Sequence, residues 1–279
     1  MLHSQQEIAD ALGVNPEFDV AMEVRLRLEF LAQYLSRSNC RTYVLGISGG
    51  VDSLAAGLLA QAAVSQLRAA GKAAQLIAVR LPYGVQADEA DAQHALDVIK
   101  PDRTVTVDIK FAADDMMRAV TDQANDLFDP MRKDFHLGNI KARQRMIAQY
   151  ALAGASQGLV IGTDQAAEAL MGFFTKFGDG AADVLPLLGL TKRRVRSVAA
   201  HMGAPDNLVF KVPTADLETD APLRPDEEVY GVSYDEIDDF LEGRPIGEAT
   251  KALIVRAYEA SAHKRSLPVG PSIHCKAGS

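Results

Sequence analysis

The sequence predicts an α/β protein: a doubly wound, mostly parallel sheet flanked by helices, with additional helices at the N- and C-terminal ends. Three observations carry this. Apolar runs of strand length alternate with segments of helical periodicity between residues 42 and 163, the pattern of βαβ units with right-handed crossovers. The first strand runs through the glycine hinge Ser48-Gly49-Gly50-Val51-Asp52-Ser53 into an apolar helix, a turn suited to holding an anion. A length of 279 residues, with 48% hydrophobic and 24% charged residues, suits a soluble chain with its own core.

The elements follow in order. Residues 17–37 place Val20, Val24, Leu28, Leu31 and Leu35 at helical spacing. TYVLGI (42–47) is the first strand, and the helix after the hinge runs to about Ala70, closed by Gly71. A second strand is expected at 74–82, a helix at 86–99 and a third strand at 104–109. Residues 112–127 and 137–156 have helical pattern, and GLVIGT (158–163) is a fourth strand. Beyond it, 173–187 is a glycine-rich loop and 191–203 a helix. The acidic stretch 211–231, with three prolines, is expected on the surface, and two late helices follow in SYDEIDDFLEG and EATKALIVRAYEASAHKR. No internal repeat or interdomain linker interrupts the chain, so residues 1–279 are expected to form a single domain.

Charge and cysteine usage exclude several classes. The net charge of −8, from 29 basic and 37 acidic residues without a basic stripe, argues against nucleic-acid binding. Cys40 and Cys275 belong to no CxxC or Cys/His cluster, which argues against a disulfide framework or zinc site and for a reducing, cytoplasmic setting. The start MLHSQQEIADALGV lacks the apolar core of a signal peptide, and no apolar run reaches the roughly 18 residues needed to span a membrane.

The hinge carries the chemistry. A glycine-rich turn between strand and helix presents backbone N–H groups that no helical carbonyl satisfies, at the positive end of the helix dipole. Gly49 and Gly50 let the backbone approach a ligand, while Ser48 and Ser53 add hydroxyls. A lone SGG also reads as a tight βα turn with capping side chains. The Walker lysine is missing, and Asp52 stands where a bare anion site would avoid negative charge. A carboxylate beside phosphate makes sense with Mg²⁺ between them. Because the glycines set the backbone, Asp52→Asn is expected to weaken use of a Mg²⁺-bound phosphate ligand with little loss of stability.

Residues 48–53, SGGVDS, resemble the PP-loop of the N-type ATP pyrophosphatases, which have the adenine nucleotide alpha-hydrolase-like fold. The resemblance implies that Gly46 through Ser53 grip the pyrophosphate end of ATP while a substrate oxygen attacks the α-phosphate. The loop alone leaves GMP, argininosuccinate, asparagine and tRNA-lysidine synthetases open. Later segments are similar to ammonia-dependent NAD synthetases: RLPYGVQADEADAQHAL (80–96), GNIKARQRMIAQYALA (138–153), VIGTDQAAEALMGFFTKFGDGAADVLPLLGLTKRRVR (160–196), PTADL, SYDEIDDFLEG and HKR.

That resemblance implies amidation of the nicotinate carboxylate of deamido-NAD by ammonia, with ATP cleaved to AMP and pyrophosphate. It implies ATP contacts from Gly46, Ile47, Ser48, Gly49, Gly50, Val51, Asp52, Ser53, Arg80, Gln86, Thr163, Lys192 and Thr214. Deamido-NAD would meet Arg143, Lys176, Asp183, His263 and Lys264, and Mg²⁺ would be held by Asp52 and Glu168. Asp52, Lys176, Asp183 and Lys192 are the candidate catalytic residues, acting by placement and charge because no protein nucleophile is needed. A homodimer is implied, with the apolar faces of helices 17–37 and 137–156 as candidate interface. No cysteine stands in a nucleophile setting and the PP-loop begins at residue 46, so free ammonia is the expected donor and no amidase domain is expected. The remaining alternatives are a PP-loop amide ligase for another carboxylate and an ATP-binding sensor without turnover.

Overall fold

The computed structural model describes residues 4–86, 88–214 and 225–270. A short helix missed by periodicity, α1 (Gln5–Ala11), opens it. Its start is fixed by a capping box: Ser4 Oγ accepts from the Glu7 N–H, and the Glu7 carboxylate accepts from the Ser4 N–H. The predicted helix at 17–37 is α2 (Val20–Arg37), capped by Asp19, whose carboxylate accepts from the Met22 N–H at 2.8 Å. Val24, Leu31 and Leu35 are buried in the main core, while Met22, Leu26 and Phe30 of the same helix are exposed.

The chain then alternates as expected: β1 (Thr42–Gly46), α3 (Val51–Ala69), β2 (Gln75–Arg80), α4 (Glu89–Ile99), β3 (Arg103–Thr106), α5 (Lys110–Ala124), α6 (Lys133–Ser156) and β4 (Gly158–Ile161). The four strands are parallel in the order β3-β2-β1-β4. Successive side chains of a strand point to opposite faces. Tyr43 and Leu45 therefore join the core under α2 and α3, while Val44 packs with Ile77, Val79, Val160 and Ala153 on the α6 face. The Tyr43 hydroxyl donates to the Leu31 carbonyl at 2.8 Å, satisfying a buried polar group and tying α2 to the sheet.

Strands β2 and β3 are shorter than predicted. Pro82 ends the β2 run, yet pairing continues singly: Val107 N–H donates to the Arg80 carbonyl and Ile109 N–H to the Pro82 carbonyl, both at 2.9 Å. Helix α4 starts three residues later than expected, and Leu81 and Gln86 of the segment before it line the cavity described below. The glycine-rich stretch after β4 is preceded by α7 (Ala166–Met171), and its Val184 bridges in parallel to Ile161. The remaining helices are α8 (Lys192–His201), α9 (Asp206–Val209), α10 (Asp226–Tyr230), α11 (Tyr234–Leu241) and α12 (Glu248–Ala260). A second core joins Ile8 and Leu12 of the N-terminal region with Leu170, Ile237, Phe240 and Ile254. The additional helices at the two ends thus pack together. They back α7 and α8, which carry site residues.

Candidate active site

Strand β1 lies between β2 and β4: α3, which connects β1 to β2, packs on one face of the sheet, and α6, which leads into β4, packs on the other. Ligands of open α/β sheets bind at such a switch point, beyond the carboxyl ends of the strands. A cavity of about 280 Å³ opens there, lined by Gly46–Ser48, Gly50–Ser53, Arg80, Gln86, Thr163, Asp164, Glu168, Lys192, Thr214 and Asp226.

The hinge is built from two hydroxyls and one obligatory glycine. Ser48 and Ser53 face each other at 3.1 Å, the Gly50 N–H donates to Ser48 Oγ, and Ser53 Oγ donates to the Gly50 carbonyl. Gly49 has φ +84°, and a Cβ there would lie 2.9 Å from the Ala92 nitrogen of α4. Gly49 therefore shapes the turn from behind and does not line the cavity. Gly50, the N-cap of α3, provides no side-chain cap, so the first-turn N–H groups of α3 are available to an external acceptor. Gln149 of α6 accepts from the Gly46 N–H at 2.9 Å, fixing the end of β1 from the opposite layer.

Arg80 is buried, and its guanidinium donates to the Ile47 carbonyl and pairs with Glu89 at 2.7 Å. It lines the cavity, where one donor braces the hinge at Ile47, others reach Glu89 and Gln86, and Nε is buried with no hydrogen-bond partner among the described residues. Lys192 is the cation aimed inward. Only 2% exposed, its ammonium lies 2.5 Å from Asp52 Oδ2, 4.0 Å from Glu168 Oε1 and 4.9 Å from the centre of the Tyr234 ring. The three sequence-predicted residues Asp52, Glu168 and Lys192, up to 140 positions apart, meet at one point.

Carboxylates outnumber cations here. Asp52, Asp88, Asp164, Glu168, Asp179 and Asp226 line the cavity against Arg80, Arg145, Lys192 and Lys211. Burial, then Asp179 and Asp52, push the Asp164 carboxyl up to about 8. Burial and the Asp52 charge raise Glu168 well above the usual carboxylate range, against the pull of Lys192. Asp52 Oδ1 is buried with no hydrogen-bond partner among the described residues. An orphaned carboxylate oxygen in an electronegative cleft fits a hard cation. No group of three or more His, Cys, Asp or Glu side chains converges on one point among the described residues. That suits Mg²⁺, which is commonly held by one or two carboxylates with phosphate and water completing its shell.

The five residues expected to meet deamido-NAD lie outside this cavity. Four cluster on its flank. Arg143 donates to the Lys176 carbonyl at 3.2 Å, Lys176 Nζ donates to the His263 carbonyl, and Lys264 Nζ donates to the Gly172 and Phe174 carbonyls at 2.8 Å. Asp183 stands apart, with one carboxylate oxygen accepting from the Val160 N–H of β4 at 2.7 Å. Burial lowers Lys264 from the ordinary lysine range, against Asp179.

Sequence reasoning assigned no role to Asp226, Tyr234, Asp238 or Gln149. Asp226 falls in the stretch expected on the surface. Residues 215–224 of that stretch lie outside the described residues, but Lys211–Thr214 and Asp226 line the cavity, joined by a Thr214–Pro225 bridge. The signal for Tyr234 and Asp238 was the SYDEIDDFLEG segment itself, whose helical spacing puts both on one face.

The family model described as NAD synthase matches residues 23–268. An NH(3)-dependent NAD(+) synthetase from Burkholderia ambifaria is 60% identical over 264 residues, covering 95% of this chain and 94% of its own length. The crystal structure of an NAD+ synthetase from Burkholderia pseudomallei superposes with a TM-score of 0.82 at 55% identity, covering 95% of this chain and 96% of that one. An NMN synthetase from Francisella tularensis gives a TM-score of 0.79 at 32% identity, covering 91% and 99%. With the hinge, the carboxylate-rich cleft and the switch-point sheet in place, these matches make the chain a member of the NAD synthase family.

Proposed function

We propose that the chain converts deamido-NAD to NAD, using ATP and ammonia and releasing AMP and pyrophosphate. The observation that carries this reading is the pairing of a lysine-free, uncapped hinge with a buried Lys192 contributed by the opposite wall of the same cavity. Such a site grips a diphosphate that departs and has no lysine in the loop to escort a transferred γ-phosphoryl group. A carboxylate oxygen of the nicotinate attacks the α-phosphorus, the bond to the bridging oxygen of pyrophosphate breaks, and an acyl-adenylate results. Ammonia then attacks the carbonyl carbon, AMP leaves, and the nitrogen loses a proton to give the amide.

The chain's own groups act by placement. Hinge N–H groups and the Lys192 ammonium stabilise charge as it builds on the departing pyrophosphate. Asp52 holds that ammonium in line. Asp52 and Glu168 would hold Mg²⁺, which neutralises phosphate charge when bound. Thr163, Thr214, Gln86 and Arg80 shape the nucleotide side. Arg143, Lys176, His263 and Lys264 give the dinucleotide a cationic flank, and Asp183 marks the β4 end of it. Similarity to NH(3)-dependent relatives supports ammonia as the nitrogen donor. The described cysteine, Cys40, is a free thiol whose sulfur donates only to the Ser38 carbonyl at 3.6 Å, and it suits a reducing cytoplasm. No helix among the described residues is long and apolar enough to cross a membrane.

A homodimer belongs to this reading. Phe111, Met116 and Val120 of α5, Leu127 and Met131 of the connection, and Phe135 and Ile147 of α6 are exposed apolar side chains contributed by one continuous stretch of chain. Apolar exposure of this extent marks an interaction surface.

Mixing the protein with Mg·ATP, ammonium and either deamido-NAD or nicotinate mononucleotide tests the reading. Equimolar AMP, pyrophosphate and NAD from the dinucleotide is the expected result. Turnover of the mononucleotide alone would reassign the substrate, and ADP with orthophosphate would remove adenylylation.

A further inference from the structure

Lysine is a poor choice at the first position of a helix, where the dipole is positive. Lys192 occupies that position in α8 and is buried as well. One face of α11 answers this problem. Tyr234, Asp238 and Glu242 follow at intervals of four residues, so all three project from the same side. Asp238 Oδ1 accepts from the Lys192 N–H at 3.0 Å, and Oδ2 accepts from the Arg193 N–H at 2.7 Å. Glu242 accepts from the hydroxyl of Thr191 at 2.9 Å, and Thr191 in turn accepts from the Arg194 N–H. The Tyr234 ring lies 4.9 Å from the Lys192 ammonium, and its hydroxyl donates to Asp226 at 2.9 Å.

The first three N–H groups of α8 are thus all satisfied from within the protein, leaving none to hold a phosphate. What α8 presents to the cavity is the Lys192 side chain, fixed at its backbone by Asp238 and at its tip by Asp52 and Tyr234. The Asp238 carboxylate, 1% exposed, also offsets the dipole that opposes a lysine there. A buried carboxylate held by two backbone donors costs desolvation, which a mere helix cap of serine or threonine avoids.

We infer that Asp238 and Tyr234 are positioning residues for the adenylylation step, acting through Lys192 and touching no substrate themselves. This rests on the reading of Lys192 as the cation that meets the phosphates of ATP. Displacement of a catalytic group by about 1 Å can cost on the order of 100-fold.

The experiment is a double-mutant cycle of Asp238→Asn with Lys192→Met, read as single-turnover AMP formation and as KM for ATP. Asp238→Asn alone is expected to lower kcat about 10- to 100-fold with KM for ATP changed less than about threefold. On the Lys192→Met background the same change is expected to add less than about twofold. A full further loss on that background, or normal kcat in Asp238→Asn, would overturn the inference. If Asp238→Asn does not fold, Tyr234→Leu enters the same cycle with the same expectation. Full activity in Lys192→Met alone would instead remove the role of Lys192, and the inference with it.

Discussion

Asp52 shows what the structure adds to a single residue. From sequence, its replacement by asparagine removes a metal ligand and leaves the fold alone. In the structure its carboxylate lies 2.5 Å from a lysine that is 2% exposed, so the substitution strips the nearest anion from a buried ammonium. Glu168, 4.0 Å away, keeps part of the compensation. Asp52→Asn is therefore expected to lose Mg·ATP turnover and also about 1–3 kcal/mol of stability, less than a wholly orphaned buried charge would cost. Thermal unfolding of the two proteins beside a Mg²⁺ titration of activity checks both halves. Gly49 and Gly50 make a similar point, since they look equivalent in sequence. Only Gly49 combines φ +84° with a backbone neighbour 2.9 Å from a would-be Cβ, whereas a Cβ on Gly50 meets nothing nearer than Ser48 Oγ at 3.4 Å. Gly49→Ala is expected to cost about 2–3 kcal/mol, and Gly50→Ala under about 1 kcal/mol, by chemical denaturation. The glycine motif was legible in the sequence. Which glycine is structurally obligatory was not, because that depends on where α4 packs.

Among the elements, the alternating strands and helices were readable from period alone, since each pattern extends over several residues. The misses have physical causes. Helix α1 has seven residues, too few for periodicity to stand out, and its capping box was the available signal. Strand β3 is an edge with exposed Arg103, Thr104 and Thr106, so its apolar alternation reports poorly on its ends. The α8–α11 pairing was invisible because Asp238 lies 46 residues from the N–H groups it caps. That pairing gives a pH signature. Burial lifts the Asp238 carboxyl to about 6, opposed by its two backbone donors. The unfolded chain releases this proton near pH 4, at the ordinary aspartate value. Between about pH 4 and 6 the folded state holds more protons, so this group's stabilising contribution is full below pH 4 and is lost as pH rises to 6. The wild-type curve, minus that of Asp238→Asn, is expected to fall by about 2–3 kcal/mol across that window, measured by urea unfolding. A flat difference would show that Asp238 titrates normally.

For the whole molecule, sheet order settles why residues from the first and second halves of the chain share a site. Strand β4 returns beside β1, bringing Gly162-Thr163-Asp164 next to the hinge. The similarity of later segments supplied the same grouping from sequence, and the residues expected to meet ATP, Gly49 excepted, line one cavity. The dinucleotide-side residues Arg143, Lys176, His263 and Lys264 gather on the flank, outside the cavity. Exposed apolar side chains stand on α5 and α6 and, at Met22, Leu26 and Phe30, on α2, whose Val24, Leu31 and Leu35 are committed to the core. In the proposed dimer, Phe135→Asp is expected to shift sedimentation from a two-chain to a one-chain species, because a charge in a buried apolar contact is strongly unfavourable. An unchanged sedimentation coefficient would place the interface elsewhere.

The most direct test of the central claim follows the oxygen atoms. Deamido-NAD labelled with ¹⁸O in both oxygens of the nicotinate carboxylate is turned over with Mg·ATP and ammonium, and the products are examined by mass spectrometry. Attack of that carboxylate on the α-phosphorus predicts one labelled oxygen in every AMP, one in the amide of NAD, and none in pyrophosphate. Unlabelled AMP, or label released as orthophosphate, would contradict it.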